Sequence, residues 1–148
     1  MTNLDDSLAT ALFSEILAVE HLARGLFSRS LPDGMELSQF VLLNHLAHLK
    51  GERTPAQLAA SFHLTRGAMT NTLGKLERMG YVHIRPDWDD ARRKMVAISP
   101  AGRTARDRAL SSIMPALTDL VGELGQDRVK GVLPVLRELR SRMGDDAN

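Results

Sequence analysis

Along the first part of the chain, Leu8, Leu12, Ile16, Val19, Ala23 and Leu26 recur at steps of three and four. That spacing lines one stripe of a long first helix. Leu31-Pro32-Asp33-Gly34 breaks it, and from about Leu37 to Lys50 the positions Val41, Leu42, Leu46 and Leu49 resume helical spacing, with Gly51 as the stop. Thr54-Pro55-Ala56-Gln57 combines a capping box with proline at the first helical position. It opens a short third helix with Leu58 and Ala59 inward. After His63-Leu64, Thr65 caps a fourth helix carrying Met69, Leu73 and Leu76 on one face and ending at Gly80.

Beyond Gly80 the period changes to two. Val82 and Ile84 share one face of a strand, Tyr81 and His83 the other, and Pro86 closes it. Residues 87–93 form a polar connection, and Met95-Val96-Ala97-Ile98 is the return strand of a hairpin. Ser99-Pro100 repeats the cap-then-proline signal and starts a fifth helix with Ala105, Ala109, Met114 and Leu117 along it. A last helix from about Gln126 presents Val129, Leu133, Leu136, Arg140 and Met143, widened by Val132 and Leu139. Pro115 and Pro134 lie inside these two patterns, where kinks or earlier ends are expected. The fold class is mainly α with a small β-hairpin.

With 148 residues, 43% of them apolar, the chain suits one compact domain. The absence of cysteine excludes disulfides, thiolate zinc sites and thiol chemistry. No apolar run approaches a bilayer span, and the first residues lack the basic and apolar regions of a signal peptide, so a cytoplasmic protein with no membrane role is expected. The formal charge is only +1, yet it hides a strong division. Residues 1–49 carry a net −4, residues 50–106 a net +6 and residues 107–148 a net −1.

The basic middle coincides with two short helices joined by a tight turn and followed by a hairpin, the pattern of a helix-turn-helix with a wing. With Met69, Leu73 and Leu76 inward, Gly67, Thr70, Asn71, Gly74, Lys75 and Arg78 point elsewhere on the fourth helix. Thr65 and Arg66, with Thr70 and Asn71, lie near its start, where hydrogen-bonding groups reach base edges in a major groove. Lys75 and Arg78 are better placed for phosphates. Gly67 and Gly74 cost helix stability, and either close approach to nucleic acid or packing on a neighbouring helix accounts for them. Arg92, Arg93 and Lys94 gather at the end of the hairpin loop, and like charges on a tip repel unless a polyanion neutralises them. An ordinary solvated polar face is the competing reading.

These residues resemble the multiple-antibiotic-resistance regulator (MarR) family of winged-helix transcription factors. The likeness runs through GMELSQFV (34–41), TPAQLAASFHLTRGAMTNTLGKLERMGYVHIRP (54–86) and DDARRKMVAISPAGR (89–103). It is most diagnostic at Asp90 and Arg92, followed by a strand and Ile98-Ser99-Pro100-Ala101-Gly102, where the family usually has Leu-Thr and a glycine three residues later. The resemblance implies that Arg92 enters a minor groove with Asp90 orienting it, and that Arg66, Thr70, Asn71 and Lys75 lie on the recognition helix. Family members often carry a basic residue where this chain has Asn71.

The expected organisation is therefore an N-terminal dimerisation helix (1–36), a winged helix-turn-helix (37–99) and C-terminal dimerisation helices (100–148). The apolar stripes of the flanking helices exceed what one small core needs. A homodimer on a pseudo-palindromic double-stranded operator would place half-site centres about 10 bp apart. The resemblance further implies a repressor released by a small-molecule effector, in a pocket between the first, second and fifth helices that includes His21, Leu42 and His45. His45 and His48, one turn apart, with His21 nearby, raise a metal-sensing regulator as an alternative, although no metal or cofactor is expected. No GxSxG, phosphate-binding loop or Rossmann glycines occur, so an enzyme is not expected. The other alternative is a winged helix used only for protein contacts, which would need an apolar face where Arg66, Asn71, Lys75 and Arg78 stand.

Overall fold

A computed structural model describes residues 2–144. In chain order the elements are α1 (Thr2–Ser30), α2 (Leu37–His48), α3 (Pro55–Ser61), α4 (Arg66–Arg78), β1 (Val82–Pro86), β2 (Lys94–Ile98), α5 (Pro100–Leu124) and α6 (Gln126–Arg142). The two strands form an antiparallel hairpin that pairs Val82 with Ile98 and Pro86 with Lys94. Arg53 adds a rung at its edge, exchanging both backbone hydrogen bonds with Val96 at 3.1 and 2.8 Å.

The caps form where the side chains allow them. Thr54 Oγ1 accepts from the Gln57 N–H at 3.1 Å, and Gln57 Oε1 accepts from the Thr54 N–H at 3.0 Å. Thr65 Oγ1 accepts from the Ala68 N–H at 3.1 Å, and Ser99 Oγ from the Gly102 N–H at 2.9 Å. At the end of α3, the Leu64 N–H reaches Ala59 O and the His63 N–H reaches Ala60 O, a Schellman motif. Its left-handed position, normally glycine, is filled by His63 at φ 52°. The same motif ends α4, with Gly80 at φ 77° in the corresponding place.

Several boundaries differ from the sequence pattern. α2 ends at His48, because Leu49 turns extended and caps back to Leu46 O, and Gly51 lies in the turn beyond. Tyr81 precedes the strand and packs, half-buried, on the core instead of facing away with His83. On α5 the buried stripe is Ala105, Ala109 and Ile113, with Met114 outward. Neither Pro115 nor Pro134 ends its helix. Each removes the donor to the residue four earlier, Ser111 and Lys130, and both of those residues are exposed, where water can reach a freed carbonyl.

Two apolar clusters organise the molecule. One joins Leu42, Leu43 and Leu46 of α2 to Leu58 of α3, Met69, Leu73 and Leu76 of α4, and Val82 and Val96 of the hairpin. The other joins Leu31 and Phe40 to Ala109 and Ile113 of α5. α2 belongs to both. The helix-turn-helix and wing are thus one packed body, seated through α2 on the long helices. α6 contributes no buried residue.

Candidate nucleic-acid interface

The first turn of α4, the first turn of α3 and the root of the wing border one open groove. Arg66 and Thr70 line it from α4, Arg92, Arg93 and Lys94 from the wing, and Thr54 to Gln57 from α3. Thr65, Gly67 and Asn71 are exposed on the same N-terminal half of α4. A Cβ added at Gly67 would meet nothing within 4 Å, which removes packing as the reason for that glycine and leaves an open approach to the helix. Gly74 differs, because Arg78 folds back along the helix and its Nη1 lies 3.4 Å from the corresponding Cβ position.

The wing cations are not an uncompensated cluster, contrary to the simple charge reading. Asp90 Oδ1 accepts from both the backbone N–H and Nε of Arg92 at 3.1 Å, while the Arg92 side chain remains 91% exposed. Asp87 Oδ2 accepts from Arg93 Nη2 at 2.7 Å and Nε at 3.1 Å. Hydrogen bonds hold both carboxyls below the usual carboxylate range: chiefly the Asp89 N–H and then the Arg93 side chain for Asp87, and the Arg92 side chain and then its N–H for Asp90. The loop therefore closes on two ion pairs, and each arginine is aimed as well as neutralised. Lys75 is likewise engaged, its Nζ 3.2 and 3.3 Å from the carboxylate of Glu36 just before α2. It faces the α2 junction, whereas Arg66 and Arg78 stand in solvent.

Three contributors were not singled out from sequence. The Thr54–Gln57 turn reads as a capping signal and not as a groove wall. Glu36, 39 residues from Lys75, carries no local sign of their pairing. Arg85 lies with its guanidinium 3.8 Å from the centre of the Trp88 ring and pairs with Glu52 at 3.0 Å.

Residues 33–93, which hold all of these groups apart from Lys94, match the model of the MarR family. Over this stretch the chain is similar to the MarR family. It is 28% identical over 103 residues to the HTH-type transcriptional regulator YdgG of Bacillus subtilis, covering 67% of this chain and 68% of that one. Among solved structures, the transcriptional regulator BldR from Sulfolobus solfataricus superposes with a TM-score of 0.81 at 24% identity, over 96% of this chain and 99% of that one. MarR of E. coli, in its apo form, gives 0.76 at 23% identity, over 86% and 96%. PcaV of Streptomyces coelicolor, solved in complex with its natural ligand, gives 0.72 at 20% identity, over 95% and 96%. The fold is the winged helix seen in these MarR-type structures.

A second cavity, about 210 Å³, lies between α1, α2 and the helix-turn-helix. Arg24, Val41, Leu42, Phe62, Leu64 and Met69 are among its walls. Of the residues expected there, Leu42 lines it; His21 is exposed on α1 outside the lining. His45 stands one layer behind, edge-on to Phe62 at 4.9 Å. Burial, then Arg53 and His48, lowers the pKa of His45. The lining comes from the α3–α4 turn and α4 where α5 was expected, because α5 packs through Ala109 and Ile113 against Phe40, on the second cluster. Among the described residues no three His, Asp or Glu side chains gather as metal ligands, and no helix is long and apolar enough to cross a membrane. His48 Nδ1 instead lies 2.7 Å from Asn44 O. Large apolar side chains remain exposed on the long helices, among them Leu8, Leu17 and Leu22 on α1 and Val132, Leu133 and Leu136 on α6.

Proposed function

We propose that this protein is a dimeric, sequence-specific regulator of transcription that binds a pseudo-palindromic duplex operator and represses until a small-molecule effector releases it. The observation that carries the reading is the common groove: the exposed start of α4 and the aimed arginines of the wing border one surface, so a helix in the major groove and Arg92 in the adjacent minor groove are compatible with a single docking. In this reading Thr65, Arg66, Thr70 and Asn71 face bases, Gly67 permits close approach, Arg78 meets phosphate, and Arg92, positioned by Asp90, reads groove width. Arg93 and Lys94 flank it and meet phosphates.

The dimer reading is supported by the apolar side chains left uncovered on α1 and α6, which a second copy would bury. The effector reading rests on the α1–α2–reader cavity, whose apolar walls and one guanidinium, Arg24, suit a small organic anion. Its position between the dimerisation helices and the reader would let occupancy change the spacing of two recognition helices.

Selection of bound sequences from random duplex DNA tests the whole reading. The expected product is an inverted repeat with half-site centres about 10 bp apart, one helical turn. Recovery of no enriched sequence, with binding equal on all duplexes, would overturn sequence-specific regulation.

A further inference from the structure

Trp88 is 85% exposed, the most exposed of the large apolar side chains among the described residues. It is not loosely held. The Arg85 guanidinium lies 3.8 Å from its ring centre, and Arg85 is itself fixed by Glu52, with Nε 3.2 Å from Oε1 and Nη2 3.0 Å from Oε2, and by a 2.8 Å bond to Pro86 O. The loop beneath is closed by the Asp87 N–H to Arg93 O bond at 2.9 Å and by the Arg93–Asp87 ion pair. One edge of the wing therefore presents to solvent an indole laid over an anchored guanidinium.

We propose that Trp88 itself touches DNA, laid by the wing against the deoxyribose edge of the duplex beside the groove that Arg92 enters. The inference deepens the DNA-reading proposal and rests on it. An aromatic plate left in water over an anchored guanidinium has the form of an interface anchor, and the class of partner follows from its frame. Arg85 backs the ring, and Arg92, Arg93 and Lys94 lie on the same loop or its root. Asp87 and Asp90 are already engaged, leaving Asp89 as the neighbouring carboxylate in solvent, its N–H bonded to Asp87 Oδ1 at 3.0 Å. An apolar plate beside arginines that, although paired, stand further into solvent than the carboxylates holding them, Arg92 at 91% against Asp90 at 33% and Arg93 at 59% against Asp87 at 11%, matches a surface whose apolar faces are bordered by phosphates, which is the edge of a double helix.

The chain has one tryptophan, so fluorescence excited where tyrosine does not absorb reports on this position alone. Full-length protein is titrated with the selected duplex while the anisotropy of an end label on the DNA follows binding independently. The expected result is a blue-shifted or quenched emission that saturates with the anisotropy. Trp88→Ala should weaken binding on the order of tenfold with an unchanged salt slope, since no charge is removed, and Trp88→Phe should restore part of it. Saturated anisotropy with unmoved emission, or a Trp88→Ala protein that binds like the parent, overturns the inference while leaving DNA reading intact. An emission shift driven by protein concentration without DNA also overturns it, assigning the ring to an interface between copies. Failure of the parent protein to bind any duplex removes both proposals.

Discussion

Lys75 and Arg78 sit three residues apart on one helix and carry the same charge, yet their surroundings separate them. The Lys75 ammonium rests on Glu36, so removing it deletes an intramolecular pair, whereas Arg78 is exposed and free to meet phosphate. Arg78→Met is expected to flatten the dependence of log affinity on log salt by about 0.9 for each phosphate it no longer neutralises, and Lys75→Met to leave that slope unchanged. Equal flattening would mean that the Glu36 pair opens on DNA. Gly67 offers a second separation of roles. With nothing near its missing Cβ, Gly67→Ala should raise stability by about 0.5–1 kcal/mol in denaturant titrations, through helix propensity, while weakening DNA binding if backbone must approach the duplex. Unchanged affinity would detach Gly67 from the interface. The sequence exposed the residue types on α4 because a period of 3.6 sorts them into inward and outward faces. It could not expose Glu36 as the lysine's partner, since the pairing is made across 39 residues by the packing of α2 on α4.

At the scale of elements, caps and turns were the most legible features, because Thr54, Thr65 and Ser99 act on backbone groups only three residues away. Pro115 and Pro134 do not bring the earlier helix ends that were one of their two expected effects, since the cost of a proline depends on whether water reaches the freed carbonyl, a tertiary property. The wing was legible as a hairpin but not as a loop held by two internal ion pairs. Those pairs make it sensitive to acid. A carboxyl whose folded pKa is lowered contributes stability that is complete above its unfolded value, near 4, and disappears as pH falls through the folded value. Between about pH 5 and pH 2, backbone amides of residues 87–93 should therefore lose hydrogen-exchange protection before those of α4 do. Simultaneous loss would show that the ion pairs do not order the loop. The seam between wing and α5 is tighter. A Cβ at Gly102 would lie 2.0 Å from Tyr81 O, so Gly102→Ala should destabilise by about 3 kcal/mol, read from the denaturation midpoint. A cost below about 0.5 kcal/mol, the ordinary surface level, would mean the seam can open.

For the whole molecule, the opposed charges of the three segments acquire a spatial meaning: the basic stretch supplies α3, α4 and the wing, and the acidic first stretch supplies α1 and α2. The wide apolar stripes were visible from sequence on α1 and α6, but which surface they cover was not, because a stripe's period names no partner. In the proposed dimer, Leu133→Glu or Leu136→Glu should yield a folded monomer, since α6 contributes nothing to the buried core, with operator affinity falling away alongside. Sedimentation velocity would decide; a dimer persisting in both variants would move the interface elsewhere.

Ser99 ties these scales together. Its hydroxyl donates to Gly80 O at 2.6 Å and accepts from Gly102, and its N–H reaches Tyr81 O at 3.0 Å, so the last turn of α4, the foot of β1 and the head of α5 meet in one rigid knot. A joint without slack leaves the reading head no private motion at that end: any tilt of α5 must swing α4 and the wing as a unit. In the proposed regulator, operator spacing and base preference would then be separately heritable, one written on the outer surfaces of the long helices and the other on a few side chains of α4, so a lineage could retune either while keeping its counterpart.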